Sequence, residues 1–172
     1  ILNAVVGQKD VDGLAEQTNF DPATPVAITW LLAGYNIDLL GKRIVIVGHG
    51  RLVGRPLARM WQQSGLNVTV ADKTTQDLAA VTRTADVLVC ATGVPNLITT
   101  NMVQPSAVIV DAGVATDKNG LVGDVAPDVR DLPDITITPM KGGVGPLTVC
   151  ALFDNVIRAA RQQAAVQQQG MQ

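Results

Sequence analysis

The 172 residues predict a Rossmann-like, doubly wound α/β fold: a mainly parallel sheet with helices on both faces. Three observations lead there. Short β-branched runs alternate with helical segments through short turns. Hydrophobic residues make up 47% of the chain but aromatics only 3%, so the core is built from Ala, Val, Ile and Leu, as in strands buried on both faces. A glycine-rich passage, IVIVGHGRLVGRP, then joins a strand to a helix.

The elements follow in order. Thr24 before Pro25 reads as an N-cap and first helical residue, opening a helix to about Leu32 that stops near Gly34. Arg43–Val47 is the first strand. The next helix begins near Val53, with Pro56 in its first turn, where a missing N–H costs nothing. Val53, Leu57, Met60 and Trp61 share one of its faces. Asn67–Ala71, Asp86–Ala91 and Ala107–Ala112 read as further strands, and Thr75–Arg83 as a short helix. Asp117-Lys118-Asn119-Gly120 is a hairpin tip, and Ile135–Thr138 a last strand. Pro146 opens a final helix whose apolar residues are Val149, Leu152, Phe153, Val156, Ile157 and Ala160. Residues 1–20 do not fit the alternation and read as a hinge or the remnant of another domain. The dinucleotide-binding unit is expected over 21–162 and a flexible polar tail over 163–172.

Thirteen basic against fifteen acidic residues give a net charge of −2, with no basic stripe, so nucleic acid is not an expected partner. No apolar run reaches the roughly 18 residues of a membrane span. Cys90 and Cys150 both sit in apolar contexts and read as buried thiols of a reducing, cytoplasmic compartment. A hydrolytic triad is not available with the lone His49, and no cluster has metal-ligand spacing.

The glycine-rich turn is where chemistry enters. Gly48 permits the tight turn, Gly50 lets a pyrophosphate approach the backbone, and Gly54 lets helix and strand pack closely. The helix N-terminus presents N–H groups and partial positive charge to the anion. The spacing Gly48-x-Gly50-x-x-x-Gly54 is one residue longer than the usual pattern. Asp72, at the end of the second strand, is placed to accept hydrogen bonds from the adenosine ribose and to repel a 2′-phosphate. NAD is therefore favoured. NADP stays as the alternative, because Arg51 or Lys73 could reach a 2′-phosphate. His49 stands between touching the cofactor and being a solvated loop residue.

Four further segments surround this turn in order: KDVDG (Lys9–Gly13), PATP (Pro22–Pro25), VGDV (Val122–Val125) and TPMKGGVGPLT (Thr138–Thr148). Together they resemble the bifunctional methylenetetrahydrofolate dehydrogenase/methenyltetrahydrofolate cyclohydrolase family, FolD-like, in its C-terminal, cofactor-binding half. The resemblance implies oxidation of 5,10-methylenetetrahydrofolate with NAD(P) and hydrolysis of the methenyl product to 10-formyltetrahydrofolate. It places Gly48, His49 and Gly50 on the family's Gly-Arg-Ser cofactor turn, two departures that weaken NADP binding. It assigns Thr92-Gly93 and Gly113-Val114 to loops flanking the cofactor, and Asp12 to holding the folate ring. Gly142, Gly143 and Gly145, with Pro146 and Thr148, fall on the loop lining the folate–nicotinamide cleft. Lys141 replaces a usual Pro and Ala23 a usual Cys.

The family's catalytic Tyr-x-x-x-Lys pair lies in the N-terminal half and has no counterpart here, since Tyr35 is followed four residues later by Leu39. The catalytic residues are thus unknown in this chain. The folate would be shared with an absent N-terminal domain, and the chain alone is expected to turn over negligibly. The absent initiator Met suggests a longer parent. The resemblance also implies a homodimer through the cofactor domains. The alternatives are a non-catalytic nucleotide-binding module and the Rossmann domain of another dehydrogenase.

Overall fold

Five parallel strands, in the order β2-β1-β3-β4-β7, form the central sheet of the computed structural model, which describes residues 2–118 and 120–169. The strands are β1 (Ile44–Val47), β2 (Val68–Ala71), β3 (Val87–Cys90), β4 (Val108–Asp111) and β7 (Thr136–Ile137). The antiparallel hairpin of β5 (Ala115–Asp117) and β6 (Gly120–Val122) rises beyond β4, as the turn signature predicted; Asn119 at its tip lies outside the described residues. β1 and β3 are each four residues long and buried throughout, which explains their unbroken Ile, Val, Leu and Cys content.

Each face of the sheet carries its own core. On one face, Ile44, Ile46, Val87, Val89 and Val110 pack against α1 (Ala23–Gly34), α2 (Gly54–Gln63) and the start of α4 (Val144–Gln169). On the other, Val45, Val47, Leu88, Cys90 and Ile109 pack against Ile98, Met102, Val125 and Val129, with α3 (Leu78–Thr82) alongside. Adjacent residues of one strand thus supply opposite cores, the doubly wound arrangement that composition predicted.

Local chemistry shifts several boundaries. α1 starts at Ala23 rather than Pro25, with Pro22 as the N-cap at φ −60°, preset by its ring. Thr24 does not cap; its hydroxyl lies against that of Thr148. α3 is only five residues, begun by Asp77, whose carboxylate accepts the Ala80 N–H at 2.8 Å. α4 begins at Val144, so Pro146 is its third residue, still within the turn where no N–H is required. It runs on through Gln169 instead of giving way to a tail near Arg161.

Two sequence expectations are corrected. Cys90 is buried, and burial pushes its thiol well above the ordinary range, but Cys150 is exposed on α4. The apolar run of α4 does not face the core: Val149, Phe153, Val156 and Ile157 are exposed, whereas Ala151, Asn155 and Ala159 are buried. These buried positions of α4 are small or polar, and the helix packs along α1.

Residues 2–22 are stitched to the fold by that buried asparagine. Asn155 Nδ2 donates to the Val11 carbonyl at 2.9 Å and to the Asp21 carbonyl at 3.0 Å. Arg158, one turn on, stacks over Phe20 at 5.7 Å. At the opposite end of the strands, Arg43 grips Asp86 through its side chain and its backbone N–H. These bonds, the guanidinium's first, hold the Asp86 carboxyl well below the usual carboxylate range.

Asn155→Leu strands two backbone carbonyls and is expected to cost about 2–3 kcal/mol in urea unfolding at unchanged m. For Asp86, whose folded pKa is depressed, the wild-type advantage over Asp86→Asn is fully present above the unfolded value near pH ~4. It is lost progressively as pH falls below that value toward and through the lower folded one; midpoints compared between pH ~7 and pH ~2.5 check it.

Candidate cofactor site

The sheet reverses its strand order between β1 and β3: the chain steps from β1 outward to β2, then returns to the other side of β1. Loops leaving the carboxyl ends of two such strands diverge and open a crevice. Here those loops are the Gly48–Val53 turn after β1 and Ala91–Gly93 after β3.

The turn has the geometry its glycines imply. Gly48 adopts φ +102°, and a Cβ there would overlap the Ala91 carbonyl. A Cβ on Gly54 would overlap the carbonyl of Gly48, so α2 can approach β1 this closely only because residue 54 has no side chain. A Cβ at Gly50 would meet nothing, which leaves that face open to an approaching ligand. The N-terminus of α2 has no side-chain cap; the Arg55 N–H donates to the Gly50 carbonyl at 3.0 Å, and no side chain answers the partial positive charge there. A cradle emptied by glycines and an uncapped helix end together fit a dinucleotide pyrophosphate.

Beside the turn lies a hollow of about 480 Å³ lined by His49, Arg55, Arg59, Asp72 and Thr74. The Thr74 hydroxyl donates to Asp72 Oδ1 at 2.6 Å and the Thr74 N–H to the same oxygen at 2.9 Å. Those bonds, the hydroxyl's first, hold the Asp72 carboxyl below its ordinary range, with His49 and Lys73 contributing charge. Oδ2 accepts no hydrogen bond from the described residues and is available to a ligand hydroxyl. Arg51 faces elsewhere, into a hollow between α2 and residues 3–22. Lys73 does not line the Asp72 hollow; the cations that do, Arg55 and Arg59, escaped the sequence reading. Their i, i+4 spacing on α2 was the available signal.

A second cleft, also about 480 Å³, gathers Gly113, Val114, Gly142, Gly143, Pro146 and Thr148 at the carboxyl end of β4 and the start of α4. Lys141 and Gly145 line it too. Seven of the residues assigned to the site from sequence, Gly145 included, are therefore brought together here. Thr92 and Gly93 line neither hollow, but a Cβ on Gly48 would meet the Thr92 methyl at 3.1 Å. Gly93 bends the loop there at φ +71°. Asp12 is exposed on the segment that Asn155 anchors and is not among the residues lining either hollow.

Beneath the second cleft is a buried charge cluster that the sequence did not reveal. Asp111 accepts from Arg130 Nη2 at 2.9 Å, and Arg130 Nη1 donates to the Thr138 carbonyl at 2.6 Å. Burial pushes the Asp111 carboxyl up, against the N–H groups of Asp124 and Val125 that pull it down. Among the described residues no group of His, Cys, Asp and Glu could hold a metal ion, and no helix is long and apolar enough to cross a membrane.

Comparison with known proteins agrees with this geometry. The model of the family "Tetrahydrofolate dehydrogenase/cyclohydrolase, NAD(P)-binding domain" matches residues 22–164. The chain is 40% identical over 177 residues to the bifunctional protein FolD of Paraburkholderia xenovorans, covering 96% of this chain and 61% of that protein. Among solved structures, the FolD methylenetetrahydrofolate dehydrogenase/cyclohydrolase of Campylobacter jejuni superposes with a TM-score of 0.87 at 37% identity, over 95% of this chain and 62% of that one. The Trypanosoma brucei FolD, solved with NADP cofactor and an inhibitor, gives 0.85 at 30% identity over 95% and 62%. The chain thus spans about three fifths of the length of these relatives. A glycine cradle at a strand-order reversal, in a chain that matches this family from residue 22 to residue 164, identifies the protein as a member of the tetrahydrofolate dehydrogenase/cyclohydrolase family, in its NAD(P)-binding domain.

Proposed function

We propose that this chain binds NAD in preference to NADP and supplies one wall of the cleft in which a folate dehydrogenase/cyclohydrolase works. The observation that carries the cofactor choice is Asp72. Its carboxylate is held ionised by Thr74, with one oxygen free, where an adenosine ribose would be gripped by its hydroxyls and a 2′-phosphate repelled. Gly48, Gly50 and the α2 N-terminus would receive the pyrophosphate. Thr92-Gly93 and Gly113-Val114 would flank the nicotinamide end. When bound, the nicotinamide supplies the hydride acceptor for methylenetetrahydrofolate oxidation. This chain's residues bind and orient it: Gly142, Gly143, Pro146 and Thr148 line the shared cleft, while Asp12, which the resemblance gives to the folate ring, lies outside it on the segment before α1.

A competing reading has its own observation. Arg55, Arg59 and His49 line the hollow that Asp72 occupies, and two guanidinium groups are suited to a phosphate. The T. brucei relative was solved with NADP. In that reading Arg55 and Arg59 outweigh Asp72.

The proton-transfer pair belongs to the part of the relatives that this chain does not span, so the purified chain is expected to oxidise methylenetetrahydrofolate negligibly while still binding cofactor. The same reading sets residues 1–20 as the hinge toward that part, in a cytoplasmic enzyme whose parent also carries the cyclohydrolase step. The exposed apolar residues of α4 support packing against another folded unit, including a second copy of this chain.

Titration calorimetry decides the cofactor question. NAD is expected to bind at least tenfold tighter than NADP, and Asp72→Ala to remove most of that difference. NADP binding more tightly would establish the Arg55/Arg59 reading instead. Gly50→Ala and Gly54→Ala separate ligand approach from packing. The first should keep its urea midpoint while weakening NAD; the second should lose about 1–3 kcal/mol of stability through the overlap with Gly48.

A further inference from the structure

The VGDV segment brings an aspartate under the cofactor loops whose arrangement the fold alone does not explain. Asp124 is 1% exposed. Its Oδ2 accepts both the Thr92 N–H, at 2.6 Å, and the Thr92 hydroxyl, at 2.9 Å, and that hydroxyl in turn accepts the Val94 N–H at 3.1 Å. A single carboxylate oxygen therefore fixes the first turn of the loop leaving β3. The same carboxylate lies against the backbone of Gly113, where a Cβ would overlap it, so it also sets how closely the loop leaving β4 can approach. Asp111 continues the chain of contacts. It accepts the N–H groups of Gly113, Asp124 and Val125 and the guanidinium of Arg130, which holds the Thr138 carbonyl.

This is an expensive way to stabilise a fold. Two carboxylates lie out of water beside one guanidinium, which pairs with Asp111 alone, and Asp124 Oδ1 and Arg130 Nε are buried without a hydrogen-bond partner among the described residues. Two glycines, Gly113 and Gly123, are needed to make room for the carboxylates. Apolar residues of similar volume would fill the space without stranding polar atoms. What they could not do is hold three loop ends, at Thr92, Gly113 and Thr138, in one mutual position.

We propose that Asp124 is a positioning residue for dinucleotide binding: through Thr92 and Gly113 it sets the loops that would receive the nicotinamide half of the cofactor, without touching the cofactor itself. The inference rests on the cofactor reading above. It also predicts a dissection of the ligand. ADP engages only the adenosine hollow and the α2 N-terminus, to which Asp124 makes no hydrogen bond, whereas NADH also needs the loops after β3 and β4.

The experiment is titration of the purified chain with NADH and with ADP, for wild type, Asp124→Ala, Asp124→Asn and Thr92→Val, each checked by circular dichroism. Asp124→Ala is expected to weaken NADH about tenfold and leave ADP within about twofold, the loss of a charge-assisted bond at a loop. Asp124→Asn, which keeps an acceptor oxygen for Thr92, should restore most of the NADH affinity. Thr92→Val removes only the hydroxyl bond and should lower the NADH-to-ADP affinity ratio about threefold; it answers the question alone if Asp124→Ala does not fold. An unchanged ratio in Asp124→Ala, equal losses for both ligands, or an unchanged ratio in Thr92→Val would overturn the proposal. If wild type binds neither ligand, the cofactor reading itself fails, an outcome distinct from any of these.

Discussion

The carbonyl of Gly48 occupies the space that a Cβ on Gly54 would fill, and the rest of the site depends on that contact. It lets α2 begin directly above the end of β1, so the helix N-terminus opens onto the crevice rather than packing beside it. The crevice exists because strand order reverses between β1 and β3. The positions of Arg55, Arg59 and Asp72 around one hollow follow, since α2 and the end of β2 are both referred to the same strand.

Charge is used in two different ways around this frame. Asp72 is half-buried, tied on one oxygen by Thr74 and free on the other, which suits a group that exchanges water for ligand hydroxyls. Asp111, Asp124 and Arg130 are buried, and their bonds run to loop backbone and to one another. Ionised groups in such a place contribute little net stability but fix geometry, because moving any loop would leave a charge without its partners. One arrangement is suited to contact and the other to alignment.

The family motifs and the glycine turn were legible because their physics is local: a positive φ, a missing Cβ and a helix N-terminus each leave a mark within a few residues. The same is true of β1, β3 and β4, whose uninterrupted aliphatic runs have no other comfortable place than a sheet covered on both sides. The apolar periodicity of α4 was equally visible, yet it marks the face that stays exposed. Periodicity reports that a helix has an apolar side, and it cannot say which neighbour covers that side.

The sequence by itself determined the element order, the fold class and the residues of the turn, since these rest on interactions between near neighbours in the chain. Only the tertiary structure decided that Arg55 and Arg59, rather than Arg51 and Lys73, share the hollow with Asp72. It alone joined Asp124 to Thr92, 32 residues earlier, and Asn155 to Val11, 144 residues earlier. Those pairings are set by how strands stack and helices cross, and nothing in the spacing of one residue type encodes the distance to a partner on another element.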